Sequence, residues 1–373
     1  VFSMRVLMCG GGTGGHINPA LAIANEIKRR EPDSVIEFVG TTHGLEGKLV
    51  PEAGYKLHTV KVQGFRRKLT LKNVKALVYA ATSVFEARRI IKKFNPDAVI
   101  GTGGYASWPT VKAATELHIP TLIQEQNAFP GVTTKKLSKY VDKVCISFEG
   151  SEQYFDQAVR GKLVLTGNPV KPNSFERAEA RRKLGIKDDE IYILSSGGSL
   201  GADKVNTFVL DAMNIYRDKK GIRQTHAVGH IGWEKFSAVI KEKKLDECPQ
   251  FEILEYIYDM QLRQAAADVV ISRAGAITTA ELALIGRATI FIPSPNVAED
   301  HQYKNAMVLK NADAADVIKE SVLDGRILAK TVMDLAADGE KRRRMENNMR
   351  AFGKPNATKE IVDLIFELSV SGK

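Results

Sequence analysis

The sequence predicts an α/β protein made of two Rossmann-like, doubly wound parallel-sheet domains facing a central cleft, and three observations carry that expectation. Short β-rich runs alternate with amphipathic segments along most of the chain. A strand–glycine loop–helix opening occurs twice, at Gly10 and at Gly197. Between the two series, Asn168 to Asn173 holds two prolines and reads as a linker.

In the first series Met4–Cys9, Val35–Val39, Leu57–Val62, Ala98–Ile100, Thr121–Ile123, Lys143–Ser147 and Leu163–Leu165 read as buried strands. Helical spacing falls between them at Pro19–Arg30, Leu71–Phe94 and Ser107–Leu117. The second series gives strands at Ile191–Ser195, Gln224–Val228, Phe251–Leu254, Val269–Ser272 and Thr289–Ile292, and only helical patterns after Leu323. The expected domains are 1–167 and 168–373, with the last helix packing back on the first. In such sheets ligands bind outside the carboxyl ends of the strands, so the loops there are the candidate site.

Composition narrows the function. The three cysteines (Cys9, Cys145, Cys248) are scattered and have no CxxC spacing, which excludes a disulfide framework and a structural zinc site. No HExxH or DxD pattern occurs, so no metal site is expected. The net charge of +10 points to an anionic partner. Nine of those charges lie between Lys61 and Lys93, where ten basic residues face the single acid Glu86. The longest uncharged stretch there, 76–85, is ten residues, about half of a membrane span. Interleaved aromatics and any recognised nucleic-acid module are missing, so nucleic acid is not the expected partner.

Both glycine loops read as anion sites, because glycine lets the backbone approach a ligand and helix-start amides attract negative charge. Gly10, Gly12 and Gly15 formally fit GxGxxG. The second strand, however, ends Phe38-Val39-Gly40-Thr41-Thr42 without the acid that would hold a ribose. The second loop, Ser196 to Ala202, adds serine hydroxyls. His16 closes the first loop, either as a structural cap or as a base. Gly103-Gly104-Tyr105 and Glu125-Gln126-Asn127 stand at two further strand ends. In the second half Arg273 to Thr278 opens a helix carrying Glu281, and Asp300-His301-Gln302 starts the next. Tyr256 or Ile257 could face a flat base.

Together these motifs resemble the MurG family of undecaprenyl-diphospho-muramoylpentapeptide N-acetylglucosaminyltransferases. The matching residues are GGGTGGHINPALA at 10–22, TGGYAS at 102–107, QEQN at 124–127, GNPV at 167–170, GGSLGA at 197–202, RAGAITTAE at 273–281 and DHQYKNA at 300–306. The resemblance implies a GT-B fold. It also implies inverting transfer of GlcNAc, without a required metal or cofactor, from UDP-GlcNAc to the 4-hydroxyl of MurNAc on lipid I, giving lipid II. A nucleotide-sugar epimerase, or another GT-B transferase with a lipid acceptor, is the alternative.

By the same resemblance His16, Glu125 and Asn127 are catalytic, His16 being the leading base. Donor contacts would come from Thr13, Gly14, Gly15, Asn127, Lys171, Ser199, Gly201, Ile257, Ala276, Ile277, Thr278, Glu281, His301 and Gln302. Acceptor contacts would come from Gly11, Gly12, Thr13, Gly14, Gly15, His16, Tyr105, Glu125, Gln126 and Asn127. Two positions depart from the common pattern: Lys171 replaces an arginine and loses its bidentate fork, and His301 stands where some members carry glutamine.

A lipid-linked acceptor requires docking. Phe65, Arg66, Arg67, Lys68, Leu69, Leu71, Lys72 and Lys75 are accordingly expected to form a membrane face against the anionic inner leaflet. The enzyme would then be peripheral on the cytoplasmic side of the bacterial cell membrane, where cell-wall synthesis or division proteins would be its neighbours.

Overall fold

The computed structural model describes residues 3–41, 43–62, 71–198 and 200–371, with side chains described except at 71–81 and 371. The chain divides into two compact units, Val1–Lys171 with Lys354–Lys373, and Pro172–Gly353.

The first unit is a seven-stranded parallel sheet of order β3-β2-β1-β4-β5-β6-β7. Its strands are β1 (Arg5–Cys9), β2 (Val35–Gly40), β3 (Lys56–Thr59), β4 (Ala98–Gly101), β5 (Thr121–Glu125), β6 (Lys143–Ile146) and β7 (Leu163–Leu165). Its helices are α1 (Gly14–Arg30), α2 (Glu46–Glu52), α3 (Leu71–Phe94), α4 (Ser107–Glu116) and α5 (Val132–Leu137). Strand periodicity splits β1 between two cores. Val6 and Met8 pack with Ile17, Ile23 and Ile361, whereas Leu7 and Cys9 pack with Ile91, Val111 and Leu137. The C-terminal helix, Ala357–Ser371, belongs to this unit, where Arg30 pairs with Asp363 at 2.7 Å and covers the Phe366 ring.

The second unit is a six-stranded parallel sheet of order β10-β9-β8-β11-β12-β13. Its strands are β8 (Ile191–Ser196), β9 (Ile222–Ala227), β10 (Phe251–Leu254), β11 (Val269–Ser272), β12 (Ala288–Phe291) and β13 (Ala315–Val317). Its helices are α6 (Arg177–Lys183), α7 (Asp203–Ile215), α8 (Trp233–Glu242), α9 (Met260–Ala266), α10 (Ala276–Ile285), α11 (His301–Asn311), α12 (Gly325–Ala337) and α13 (Gly339–Arg350).

In each unit the strand order reverses beside the strand that carries the glycine loop. The switch lies between β1 and β4 in the first and between β8 and β11 in the second, which is where doubly wound sheets open a crevice for ligands. Some expectations need correction. Helix α1 begins at Gly14 rather than Pro19, because Gly14 and Gly15 already lie in its first turn. Strand β3 stops at Thr59, short of Val62. Helix α2 and strand β13 were not expected: the first is seven residues with a proline inside, the second three residues centred on an aspartate. Both are too short to show a period.

Candidate active site

In the first unit, the loop after β1 meets the loop after β4 at backbone distance. Gly11 N–H donates to Gly103 O at 3.3 Å, and a Cβ on Gly104 would stand 2.2 Å from Gly11 O. Gly104 also has φ +83°, so both contact and conformation call for glycine.

The loop also holds a carboxylate of its own. Glu46, at the start of α2, is fully buried and accepts from Gly12 N–H at 2.7 Å, Thr41 N–H at 2.9 Å and Thr41 Oγ1 at 2.7 Å. Burial pushes its pKa up, but the donors at Gly12 and Thr41 outweigh burial and hold the carboxyl below its usual range. The amides of Gly11 and Gly12, expected at the acceptor, are therefore engaged inside the protein. No described residue accepts from the amides of Thr13, Gly14 or Gly15, and Thr13 and Gly15 are exposed.

His16 follows in the first turn of α1. Its Nδ1 lies 3.0 Å from Gln126 Oε1. The amide nitrogen of Gln126 donates to Thr102 O, Gln124 O and Gln124 Oε1 at 2.8, 3.1 and 2.6 Å, which fixes its oxygen toward His16. Nδ1 must then carry the proton, leaving Nε2 as the accepting nitrogen. Gln126 is only 2% exposed. Instead of facing an acceptor as expected, it orients the histidine. Behind it, Asn168 donates to Gln126 O at 3.0 Å and accepts from Ser147 Oγ and Gln124 Nε2. The GNPV motif thus braces the QEQN motif.

Glu125, expected to be catalytic, is buried as well. Its carboxylate accepts from Asn127 N–H at 3.0 Å, Asn127 Nδ2 at 3.3 Å and Gly131 N–H at 3.0 Å. These bonds close the 125–131 loop and leave Asn127 half-buried at its tip. Tyr105 is 62% exposed.

In the second unit the loop after β8 closes on itself. Gly198 N–H donates to Ser196 Oγ at 3.0 Å and Gly201 N–H to Gly198 O at 2.9 Å. Gly201 (φ +84°) presses on the end of β9, where a Cβ would stand 2.3 Å from Val228 O. Ser199 lies outside the described residues.

After β11, helix α10 starts at Ala276 with Gly275 as an extended cap that offers no side chain. The helix start therefore presents its positive end, with the amides of Ile277 and Thr278 in its first turn. Glu281, one turn on, is held by Gln264, yet burial dominates and raises its carboxyl above the usual range. The Ile257 side chain is buried in the core, so only its backbone can serve a ligand. Gln302 Oε1 accepts from Ser294 N–H at 2.9 Å, and His301 Nδ1 bonds Ala298 O at 2.8 Å. Glu299 and Asp300, just before α11, both have φ +53°, a strained setting for non-glycine residues. Arg273 donates to Ile292 O at 3.0 Å and Glu320 at 2.6 Å, and Glu320 also pairs with Lys204. The motif arginine thus anchors its loop.

Lys171, exposed, is the last residue of the first unit's main segment. Of the expected membrane face, Phe65, Arg66, Arg67, Lys68 and Leu69 lie outside the described residues, as do the side chains of Leu71, Lys72 and Lys75 on α3. Among the described residues no helix is long and apolar enough to cross a membrane, and no group of three His, Cys, Asp or Glu could hold a metal ion.

Residues 6–146 match the glycosyltransferase family 28 N-terminal domain and residues 192–362 the family 28 C-terminal domain. A curated relative from Acetivibrio thermocellus is 44% identical over 98% of each chain. It is described as a UDP-N-acetylglucosamine–N-acetylmuramyl-(pentapeptide) pyrophosphoryl-undecaprenol N-acetylglucosamine transferase. The crystal structure of Acinetobacter baumannii MurG superposes with a TM-score of 0.79 at 30% identity, covering 98% of this chain and 99% of that one. A UDP-GlcNAc 2-epimerase from Neisseria meningitidis, at 13% identity and TM-score 0.64 over 98% and 100%, shares the fold alone.

Proposed function

We propose a residue-level mechanism from one premise: this chain belongs to the MurG family of glycosyltransferase family 28, whose GT-B architecture its two parallel-sheet units display. It is accordingly a hexosyltransferase that moves N-acetylglucosamine from UDP-N-acetylglucosamine to lipid I, forming lipid II. The epimerase alternative has only a fold likeness behind it.

The observation that carries the mechanism is His16 held by Gln126 at the end of the first glycine loop. The 4-hydroxyl of the acceptor sugar attacks the anomeric carbon as its proton passes to His16 Nε2. The bond from that carbon to the diphosphate breaks on the opposite face, and its electron pair leaves with UDP, which gives inversion. On the donor side, the amides at 276–278 and the 197–202 loop with Ser199 meet the growing diphosphate charge, where preorganised donors act most strongly. Ile257 pairs the base through its backbone, Glu281 accepts from the ribose hydroxyls, and His301 and Gln302 hold the sugar. On the acceptor side, the amides of Thr13, Gly14 and Gly15 take the lipid diphosphate, with Tyr105 and Asn127 beside the sugar. Glu125 supports this set from within its loop.

Residues 64–75 form the membrane face, since each basic residue near anionic lipid contributes about 1 kcal/mol before screening. That face places the enzyme on the cytoplasmic surface of the cell membrane.

The test of function is labelled UDP-GlcNAc with a short-chain lipid I analogue, which should yield a lipid-linked disaccharide and UDP. Consumption of UDP-GlcNAc without acceptor would return the epimerase reading. For the membrane face, replacing Arg66, Arg67 and Lys68 by glutamate should release the protein from anionic vesicles, and undiminished binding refutes it.

A further inference from the structure

Glu46 accepts from a backbone amide of the first glycine loop, Gly12 N–H, the kind of donor that a phosphate accepts from in a dinucleotide-binding loop. The protein makes room for this carboxylate at three separate places. A Cβ on Gly11 would lie 2.3 Å from Glu46 Cδ, one on Gly44 2.0 Å from Oε2, and one on Gly40 2.5 Å from Cγ. Thr41 supplies both its N–H and its hydroxyl to one oxygen, and Gly12 its N–H to the other. The donors to Glu46 are the N–H of Gly12, the N–H and hydroxyl of Thr41 and its own backbone N–H, with no basic side chain among them. A buried charge held by donors alone fixes the atoms that donate.

We infer that Glu46 is a positioning residue and a built-in anion: it fills the Gly12 seat of the first glycine loop, leaving only the Thr13–Gly15 amides for the acceptor's diphosphate. Its negative charge also keeps a nucleotide diphosphate from settling in that seat. This inference rests on the reading that the first loop binds the acceptor.

The experiment uses the full chain with the short-chain lipid I analogue. In Glu46→Gln one amide nitrogen must face an N–H donor, so the loop loses its hold on that side. The acceptor KM should rise about tenfold, the scale of one charge-assisted hydrogen bond. Donor KM, and kcat at saturating acceptor, should stay within about twofold. A purely structural role predicts the opposite split, with kcat falling alongside the folded fraction and acceptor KM unchanged, and that result overturns the proposal. Should Glu46→Gln fail to fold, Thr41→Val removes one donor and keeps the backbone. It should raise acceptor KM about threefold, and an unchanged value overturns the proposal too.

Gly14→Pro separates the two layers of the argument. Gly14 is the first helical residue and follows extended Thr13, so proline fits there while deleting one of the three open amides. If Gly14→Pro leaves acceptor KM untouched, the acceptor reading of the loop fails. If it raises acceptor KM while Glu46→Gln does not, only the role of Glu46 fails.

Discussion

The two units share one plan and use it differently. Each runs a central strand into a glycine loop, opens a helix from that loop, and reverses its strand order beside it. In the first unit the loop is locked from outside by Glu46, 34 residues away, and by the close approach of Gly104. In the second the loop bonds to itself and leans on β9. A glycine loop is therefore a general anion device, and its neighbours decide which amides remain available. The same strand–loop–helix motif can serve a lipid diphosphate in one place and a nucleotide in another.

That contrast can be broken most sharply at His16. His16→Ala should lower kcat by about 10²–10⁴-fold, the usual weight of a general base, with donor KM nearly constant because the nucleotide contacts proposed above lie in the second unit. Steady-state kinetics decide it, and unchanged turnover removes His16 from the mechanism.

Next come the paired glycines. Gly104→Ala and Gly201→Ala each force a methyl to within about 2.3 Å of a backbone oxygen at positive φ, a strain of roughly 1–3 kcal/mol or more. The first should raise acceptor KM and spare donor KM, the second the reverse. If both variants shift the same KM, the division of labour is wrong.

Acid should separate the units as well. His226 is fully buried in the second unit, and burial drives its pKa from 6.5 down to about 4. It stays neutral in the folded state while the unfolded chain takes up a proton below pH 6.5, so stability falls as pH drops from 6.5 toward 4. The loss is roughly 3 kcal/mol at about 1.4 kcal/mol per pKa unit. Glu46 behaves otherwise: its lowered pKa adds stability to the first unit above the usual carboxylate range, lost only as pH falls through the depressed value. Hydrogen exchange at pH 5 should show the second unit losing protection first, and His226→Gln should flatten that response. Equal loss in both units would contradict it.

The smallest effect concerns Glu281. Its raised pKa means that the ionised form, the better acceptor for ribose hydroxyls, is lost nearer neutrality than an ordinary carboxylate would be. Donor KM should climb as pH falls, and Glu281→Gln should cost about five- to tenfold in donor KM while removing most of that pH dependence. A donor KM independent of pH in the parent enzyme would take Glu281 out of the ribose site.

Much of this was legible in the linear chain because its signals are local. Buried parallel strands appear as apolar runs, glycine loops sit directly after them, and His16 stands at a fixed distance from Gly10. The roles inside the site were less legible. Gln126 and Asn127 are adjacent, yet one is buried against His16 and the other half-exposed, and only the turn held by Glu125 decides which. Asn168 reaches Gln124 across 44 residues, and Arg273 reaches Glu320 across 47. The end of β2, where a ribose would need an acid, carries none. The one that matters lies six residues beyond Gly40, flanked by Gly44 and Gly47, and turns back into the loop.

By itself the sequence determined the fold class and the two glycine loops, because short-range periodicity and motif spacing encode these directly, and its motifs carried the resemblance to the family and the candidacy of His16. Tertiary structure alone decided which loop amides remain open, which tautomer His16 adopts and which carboxylate sits in the first loop. Those outcomes depend on hydrogen bonds between residues far apart in the chain, and burial makes each donor and acceptor find a partner wherever the fold brings one.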